Sequence, residues 1–139
     1  MIILDTNVVS ELMKPAPAAS VVRWAAAQPA SGLYTTSITQ AEILHGVMLL
    51  PPGRRRKAFE SAAEAMFRED FAGRILPFGS DAAGPYASIA ADRRRAGRPI
   101  SHFDAQIAAI AHSTGAMIAT RNIADFDGCG VKVINPWTA

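Results

Sequence analysis

The chain has 139 residues, of which 50% are hydrophobic and 19% are charged, and its formal net charge is +2. This length is enough for one domain with a buried core, and the composition excludes an intrinsically disordered chain. A single cysteine, Cys129, excludes an intramolecular disulfide and a zinc site made of cysteines. No apolar run approaches the roughly 18 residues of a membrane span and no secretory signal pattern is present, so we expect a cytoplasmic protein.

Strand and helix patterns alternate along the chain. Prolines end the first two helices, at Pro15 and Pro29, and Gly115 ends the last one. Pro85 is expected in the first turn of its helix, where proline is tolerated. In chain order, the predicted elements are strand 2–4, helix 8–13, helix 18–27, strand 32–37, helix 39–50, amphipathic helix 54–71, strand 74–78, helix 81–96, helix 101–115, strand 116–120 and strand 131–135.

This alternation predicts an α/β fold, in which right-handed crossovers build a mostly parallel five-stranded sheet flanked by helices. No linker, repeat or low-complexity tract interrupts the pattern, so residues 1–139 are expected to form a single domain. In open sheets of this kind, ligands bind beyond the carboxyl ends of the strands. The residues that follow each strand are therefore the first place to look for function.

Acidic residues occupy several of these positions. Asp5 follows the first strand directly, and Asp125 follows the fourth, with Asn122 before it. Glu42 and Asp104 are each predicted in the first turn of a helix. All four acids can therefore face one end of the sheet.

Each acid also has an ordinary structural explanation. The residues Thr39 to Glu42 and Ser101 to Asp104 both match a capping box, in which the acid would bond to the amide at the start of its own helix. Asp5 or the adjacent Thr6 can cap a helix, and Asp125 can serve a turn. For any single acid, these explanations are favoured.

The four acids together point to a metal site. Capping does not predict an acid at the functional edge of nearly every strand. Converging carboxylates repel one another, and a divalent cation relieves that repulsion. Ligand sets made of oxygen with few imidazoles favour Mg²⁺ or Mn²⁺ over zinc. Such a cation neutralises a phosphate and acidifies a water that attacks phosphorus.

Four stretches of the sequence together resemble a PIN domain, and specifically the VapC/FitB-like toxins of bacterial toxin–antitoxin pairs. The similarity extends from Met1 to Trp137. Each motif is short, but their order and spacing are specific. The stretches are ILDTNVVSEL, TTSITQAEILHGV, GRPISHFDAQIAAIAHSTGAMIATRN and DFDGCGVKVINPW.

The resemblance implies a Mg²⁺-dependent endoribonuclease, with Mn²⁺ as a possible substitute, that cleaves tRNA or other structured RNA and leaves a 5′-phosphate. It implies that Asp5, Asp104 and Glu42 serve as the acids of the site. Many relatives have a fourth acid where this chain has Asn122, and Asp125 lies three residues later. Either can fill the fourth metal position, so the candidate metal ligands include both, and Asp125 joins Asp5, Glu42 and Asp104 in the candidate catalytic set.

Polar residues adjoin these acids. Thr6, Asn7 and Thr120 can hold a carboxylate or a phosphate oxygen, and capping is an equal alternative. Arg121 is well placed for an RNA phosphate. The basic runs Arg54–Lys57 and Arg93–Arg98 are interpreted mainly as solvated surface, with RNA contact as the alternative.

The resemblance also implies partners. The predicted helix 39–50 is apolar on more than one face and requires burial on several sides. A homodimer interface, or a groove for a VapB-like antitoxin, would supply it within a larger toxin–antitoxin assembly. Operator DNA would be bound only through the antitoxin, and no membrane is involved.

Two other functions are weighed against the nuclease. A receiver-like signalling domain also has acids and Mg²⁺ at the edge of a parallel sheet. It requires a phospho-accepting Asp at the end of the third strand, where this chain has LPFGSD. The other alternative is an inactive PIN domain that acts only through its antitoxin, and the intact acids Asp5, Glu42 and Asp104 argue against it.

Overall fold

The computed structural model describes residues 1–139 and contains one sheet of five strands, all parallel, in the order β3-β2-β1-β4-β5. The α/β prediction is confirmed, and the sheet is wholly rather than mostly parallel. The strands are short and apolar, as expected for strands covered on both faces. They are β1 Ile2–Leu4, β2 Leu33–Thr36, β3 Ile75–Leu76, β4 Met117–Ala119 and β5 Val133–Ile134.

Six α-helices and three short helical turns connect the strands. The turns are 3₁₀-helical at Ala30–Gly32 and Ile123–Phe126 and π-helical at Met66–Asp70. The helices are α1 Thr6–Met13, α2 Ala19–Ala26, α3 Ser37–Met48, α4 Arg54–Ala65, α5 Ser80–Arg95 and α6 His102–Thr114. None of them combines the length and the apolar character that a membrane span requires.

The chain changes direction across the sheet at β1. This central strand pairs with β2 on one side and with β4 on the other. Chain progression therefore reverses between β1 and β4, which opens a crevice at their carboxyl ends. Asp5 and Thr120, the residues that directly follow β1 and β4, lie at this crevice.

Two apolar cores cover the two faces of the sheet. Ile3 packs into one core with Ile107 and Phe126, whereas Leu4 packs into the other with Val8 and Trp24. Successive side chains of a strand point to opposite faces, so adjacent residues of β1 anchor both cores. The strand before Asp5 is thus held from both sides.

Several predicted boundaries were wrong. α1 begins at Thr6 rather than residue 8, because Asp5 is its N-cap. α3 begins at Ser37 rather than Thr39, because the Thr36 side chain accepts from the Thr39 amide at 3.1 Å. Glu42 therefore lies in the second turn of α3, not the first.

The middle of the chain also departs from prediction. The stretch 54–71 is not one α-helix, since it passes from α4 into the π-helical turn. β3 spans two residues of the predicted five because Pro77 has no amide hydrogen for the ladder. α5 begins at Ser80, which places Pro85 in the second turn rather than the first. Gly115 ends α6 in the left-handed conformation (φ 69°), as predicted.

Candidate active site

Asp5 is a fixed, buried carboxylate. Its amide donates to the Ala119 carbonyl at 2.9 Å, so the ladder between β1 and β4 continues to this residue. The carboxylate accepts from the Thr6 amide at 2.8 Å, from the Thr120 hydroxyl at 2.8 Å and from the Asn7 amide group at 3.3 Å. Asp5 is 5% exposed. It both caps α1 and presents a carboxylate at the crevice.

Thr120 and Asn7 join the start of α1 to the end of β4. The Thr120 hydroxyl accepts from Asn7 Nδ2 and from the Asn122 amide, each at 3.1 Å. Asn7 Oδ1 accepts from the Arg121 amide at 3.1 Å. The polar residues predicted to adjoin Asp5 therefore surround it. Arg121 and Asn122 take part in these contacts through their backbone amides.

Glu42 is held by a residue distant in sequence. Thr6 Oγ1 donates to Glu42 Oε1 at 2.8 Å and lies 3.1 Å from the Thr39 hydroxyl. The capping box predicted from Thr39 to Glu42 is therefore wrong, because Glu42 turns toward α1 instead of toward its own helix start. Its carboxylate is half-buried beside Asp5.

Asp104 and Asp125 are delivered by helix and loop termini. The Ser101 side chain accepts from the Asp104 amide at 3.1 Å and caps α6, which confirms one half of the predicted capping box. The other half is wrong, because the Asp104 carboxylate does not bond to the Ser101 amide. Asp125 lies on the 3₁₀ turn Ile123–Phe126, where its amide donates to the Asn122 carbonyl at 3.1 Å. Asp104 is half-buried and Asp125 is exposed.

The four acids are close enough to influence one another electrostatically. Burial raises the pKa of Asp5, and the charges of Glu42 and Asp125 raise it further. Burial, followed by the charge of Asp5 and then of Asp125, raises the pKa of Asp104. Burial and the charge of Asp104 likewise raise the pKa of Glu42. These four carboxylates form no ion pair with a basic side chain.

The donor set fits a hard divalent cation. It contains only oxygen ligands, and the like charges that raise the pKa values would be relieved by a cation. The side chains are nevertheless not gathered at ligand distance, since no three Asp, Glu, His or Cys residues form a group that could hold an ion. Water molecules complete most Mg²⁺ sites, so this spacing is compatible with binding through one or two carboxylates and water.

Of two arginines near the site, Arg93 differs from the sequence interpretation. Arg93 belongs to a basic run interpreted as solvated surface, yet it is 8% exposed and bonds to the segment that carries Asp125. A run of three arginines contains no signal for which one is buried. Arg121 is exposed, and its guanidinium lies 5.0 Å from the centroid of the half-buried Trp137 ring.

An apolar groove opens beside Glu42. Thr6 and Glu42 form one end of it, and it continues along α3 and α4 past Val47 to Arg55 and Phe59. Further along α3, Leu44, Met48 and Leu49 are 36%, 58% and 71% exposed. The prediction that α3 is apolar on more than one face is therefore confirmed, and much of that surface has no cover within this chain.

Comparison with known proteins adds independent information. The PIN domain family model matches residues 2–127. The VapC ribonuclease Y4jK of Sinorhizobium fredii is 42% identical over 99% of this chain and 98% of its own length. Toxin FitB of Neisseria gonorrhoeae is 39% identical over 99% of both chains. In the structure of FitAB bound to IR36 DNA fragment, a 39% identical chain superposes with a TM-score of 0.91, covering 99% of this chain and 96% of that one.

Proposed function

Since this chain belongs to the PIN domain family, as a toxin of the VapC/FitB type, we propose that it is an endoribonuclease that depends on Mg²⁺, with Mn²⁺ as a substitute. The observation that carries the proposal is the acidic centre, which we define as the carboxylates of Asp5, Glu42, Asp104 and Asp125. Asp5, Glu42 and Asp104 come from three separate elements, share raised pKa values and form no ion pair with a basic side chain. Such a grouping destabilises the folded chain unless a cation binds there.

The residues have distinct roles in this proposal. Asp5 and Asp104 bind the cation directly or through water, and Glu42, held by Thr6, orients water. Asp125 is the better candidate for the fourth position because its charge acts on both Asp5 and Asp104, although Asn122 remains in the candidate set. When bound, the cation would neutralise the scissile phosphate and acidify the attacking water.

The substrate in this proposal is RNA, tRNA or another structured RNA, cleaved to leave a 5′-phosphate. Arg121 contacts a phosphate beside the acidic centre. Its backbone is fixed by Asn7 and its guanidinium by Trp137, so little side-chain freedom would be lost on binding. Because RNA is the target, we place the activity in the cytoplasm.

The partner in this proposal is a VapB-like antitoxin. A FitB-like chain is found with FitA and a DNA fragment in a solved structure, which supports an antitoxin and operator DNA bound through it. The exposed apolar surface of α3 and the groove beside Glu42 offer area for an antitoxin and for a second copy of the chain. We also propose that residues 1–139 form a single PIN domain, because β5 completes the same sheet beyond the matched residues.

The competing functions have less support. A receiver-like domain needs an acid at the end of its third strand, and β3 ends at Leu76, followed by Pro77 and Phe78. An inactive PIN domain would gain nothing from an unneutralised acidic centre, which lowers its stability. Only an assay separates this second alternative from the nuclease.

The test is cleavage of bulk tRNA and of an unstructured oligoribonucleotide by the purified chain. We expect cleavage with Mg²⁺, none with EDTA, and recovery when Mg²⁺ is restored in excess. Asp5→Asn should abolish cleavage, whereas the control Asp70→Asn, at an exposed acid outside the centre, should leave it intact. Absence of metal-dependent cleavage by the wild-type chain on every RNA would support the inactive binding protein instead.

A further inference from the structure

Arg93 is a buried cation that bonds only to backbone carbonyls and a sulfur. Its Nε donates to the Arg98 carbonyl at 2.7 Å, and its Nη1 donates to the carbonyls of Asp125 and Asp127 at 2.8 and 3.0 Å. The Cys129 sulfur lies 3.8 Å from the same nitrogen. Arg93 has no carboxylate partner in an ion pair. Its neighbours Arg94 and Arg95 are exposed, so Arg93 is the buried member of the run.

These bonds join two segments that lead to the acidic centre. Arg98 lies in the loop that enters α6, on which Asp104 stands in the first turn. Asp125 and Asp127 lie on the segment after β4. The guanidinium therefore ties the loop before α6 to the backbone of the segment that carries Asp125.

The other polar side-chain contact between these segments is weak. Arg98 Nη2 lies 3.4 Å from Asp127 Oδ2, but both side chains are more than half exposed. Exposed ion pairs of this kind contribute little. The Asp125 segment is therefore held by two features, the buried side chain of Phe126 and the hydrogen bonds that Arg93 donates to its backbone carbonyls.

A buried cation without a counter-ion needs an explanation. An apolar side chain would fill this space without the desolvation cost that a guanidinium carries. Arg93 forms no ion pair with the acidic centre, but its positive charge opposes the rise that burial produces in the pKa of Asp104. Arg93 therefore acts on the acidic centre through its charge and on the Asp125 segment through its hydrogen bonds.

We propose that Arg93 is a positioning residue for the divalent-cation site, holding the backbone of Asp125 so that its carboxylate faces Asp5 and Asp104. This inference rests on the proposed cation site. Its effect is on cation affinity and acts through Asp125. Arg93 contacts neither substrate nor cation.

The first test measures Mn²⁺ binding by calorimetry, together with the unfolding midpoint, for wild type, Arg93→Met, Arg93→Lys and Arg94→Met. Arg93→Met keeps the length of the side chain but removes its donors and charge. We expect it to weaken Mn²⁺ binding about tenfold, the scale of a lost supporting contact at a metal site. Arg93→Lys retains the charge but has fewer directed donors, so its Mn²⁺ affinity should lie between those of wild type and Arg93→Met. The control Arg94→Met should bind Mn²⁺ as wild type does.

The second test asks whether the effect passes through Asp125. In an Asp125→Asn background, Arg93→Met should change Mn²⁺ affinity by less than about twofold, because its target carboxylate is already lost. Equal losses in both backgrounds would overturn the proposal. So would a lowered unfolding midpoint with wild-type Mn²⁺ affinity, which is what a purely structural arginine predicts.

Other outcomes are also decisive. If Arg93→Met does not fold, Arg93→Lys is compared instead, in the wild-type and the Asp125→Asn chains. Unchanged Mn²⁺ affinity of Arg93→Lys in the wild-type chain would overturn the inference. A wild-type chain that binds no Mn²⁺ overturns it as well. A wild-type chain that binds Mn²⁺ but cleaves no RNA overturns the proposed function while leaving the role of Arg93 to the binding data.

Discussion

The two sides of the acidic centre are built in different ways. On the strand side, which comprises Asp5 and Glu42, side-chain hydroxyls from Thr6 and Thr120 donate to the carboxylates at 2.8 Å. On the loop side, which comprises Asp104 and Asp125, the acids stand on a helix start and a 3₁₀ turn. On the strand side, Asp5 is anchored by the sheet and both cores. On the loop side, the Ser101 cap holds the start of α6, and Arg93 together with the buried Phe126 holds the Asp125 segment.

This difference shows what fixes the position of each carboxylate in the site. A residue directly after a central parallel strand inherits the rigidity of the ladder, and Asp5 even extends that ladder by one hydrogen bond. A residue on a connecting turn must be held by separate contacts. We therefore expect substitutions on the strand side to have larger effects on cleavage, and those on the loop side to act more through cation affinity.

The largest effect is expected for Asp5→Asn. Loss of the charge should lower RNA cleavage at saturating Mg²⁺ by more than about a hundredfold, exceeding the roughly 10–100-fold loss of a group that only supports a ligand. Asn is nearly isosteric, so circular dichroism should report an unchanged fold. Cleavage within tenfold of wild type would show that the strand side is not the centre of the site.

The next comparison is within the loop side. Asp104→Asn should lower cleavage about a hundredfold and Asp125→Asn about tenfold, with a higher Mg²⁺ concentration at half-maximal rate for each. Asn122→Ala should have a smaller effect than either, because only the Asn122 backbone contacts the site. A larger loss in Asn122→Ala than in Asp125→Asn would assign the fourth position to Asn122.

A smaller effect is expected for the hydroxyls of the strand side. Thr6→Val keeps the shape of the side chain but frees Glu42, and we expect about a tenfold loss of cleavage with little loss of stability. Thr120→Val removes a donor from the buried carboxylate of Asp5 and should also lower the free energy of unfolding by about 1–3 kcal/mol. Equal stability losses in the two variants would contradict the unequal burial of the two acids.

The smallest effect concerns pH. Burial and nearby carboxylates raise the pKa of Asp5 above its ordinary 3.8, so the folded chain keeps this proton to a higher pH than the unfolded chain does. The associated stability is present below that ordinary value and is lost as the pH rises through the folded pKa.

Urea unfolding in EDTA, from about pH 4 to about pH 7, should therefore show Asp5→Asn gaining stability relative to wild type as the pH rises. Excess Mg²⁺ should reduce that gain, because the ion binds the folded wild-type chain more tightly than the variant. A constant difference across the pH range would contradict the raised pKa of Asp5.

Much of the architecture followed from sequence because its signals are local. Short apolar runs bounded by helices predicted all five strands, and Gly115 marked the end of α6. Predicted element boundaries were less accurate where a side-chain cap or a proline, rather than the hydrophobic pattern, sets the end of the element. Thr36 caps α3 three residues before the predicted start, and Pro77 shortens β3.

The candidate residues were predicted from sequence, but their interactions were not. Asp5 was weighed as either a cap or a ligand, and its carboxylate caps α1 while facing the crevice. Glu42 was assigned to its own helix start, yet its partner is Thr6, 36 residues earlier. Hydrogen bonds between distant segments leave no mark in local periodicity.

The sequence by itself determined the fold class and the candidate acids, because hydrophobic periodicity specifies strands and helices, and parallel strands bring their carboxyl ends to one edge. Only the tertiary structure decided how each acid is held. Burial and long-range hydrogen bonds set the raised pKa of Asp5, and they distinguish the buried Arg93 from its exposed neighbours. Desolvation depends on everything that packs around a group, and packing arises only when distant segments meet.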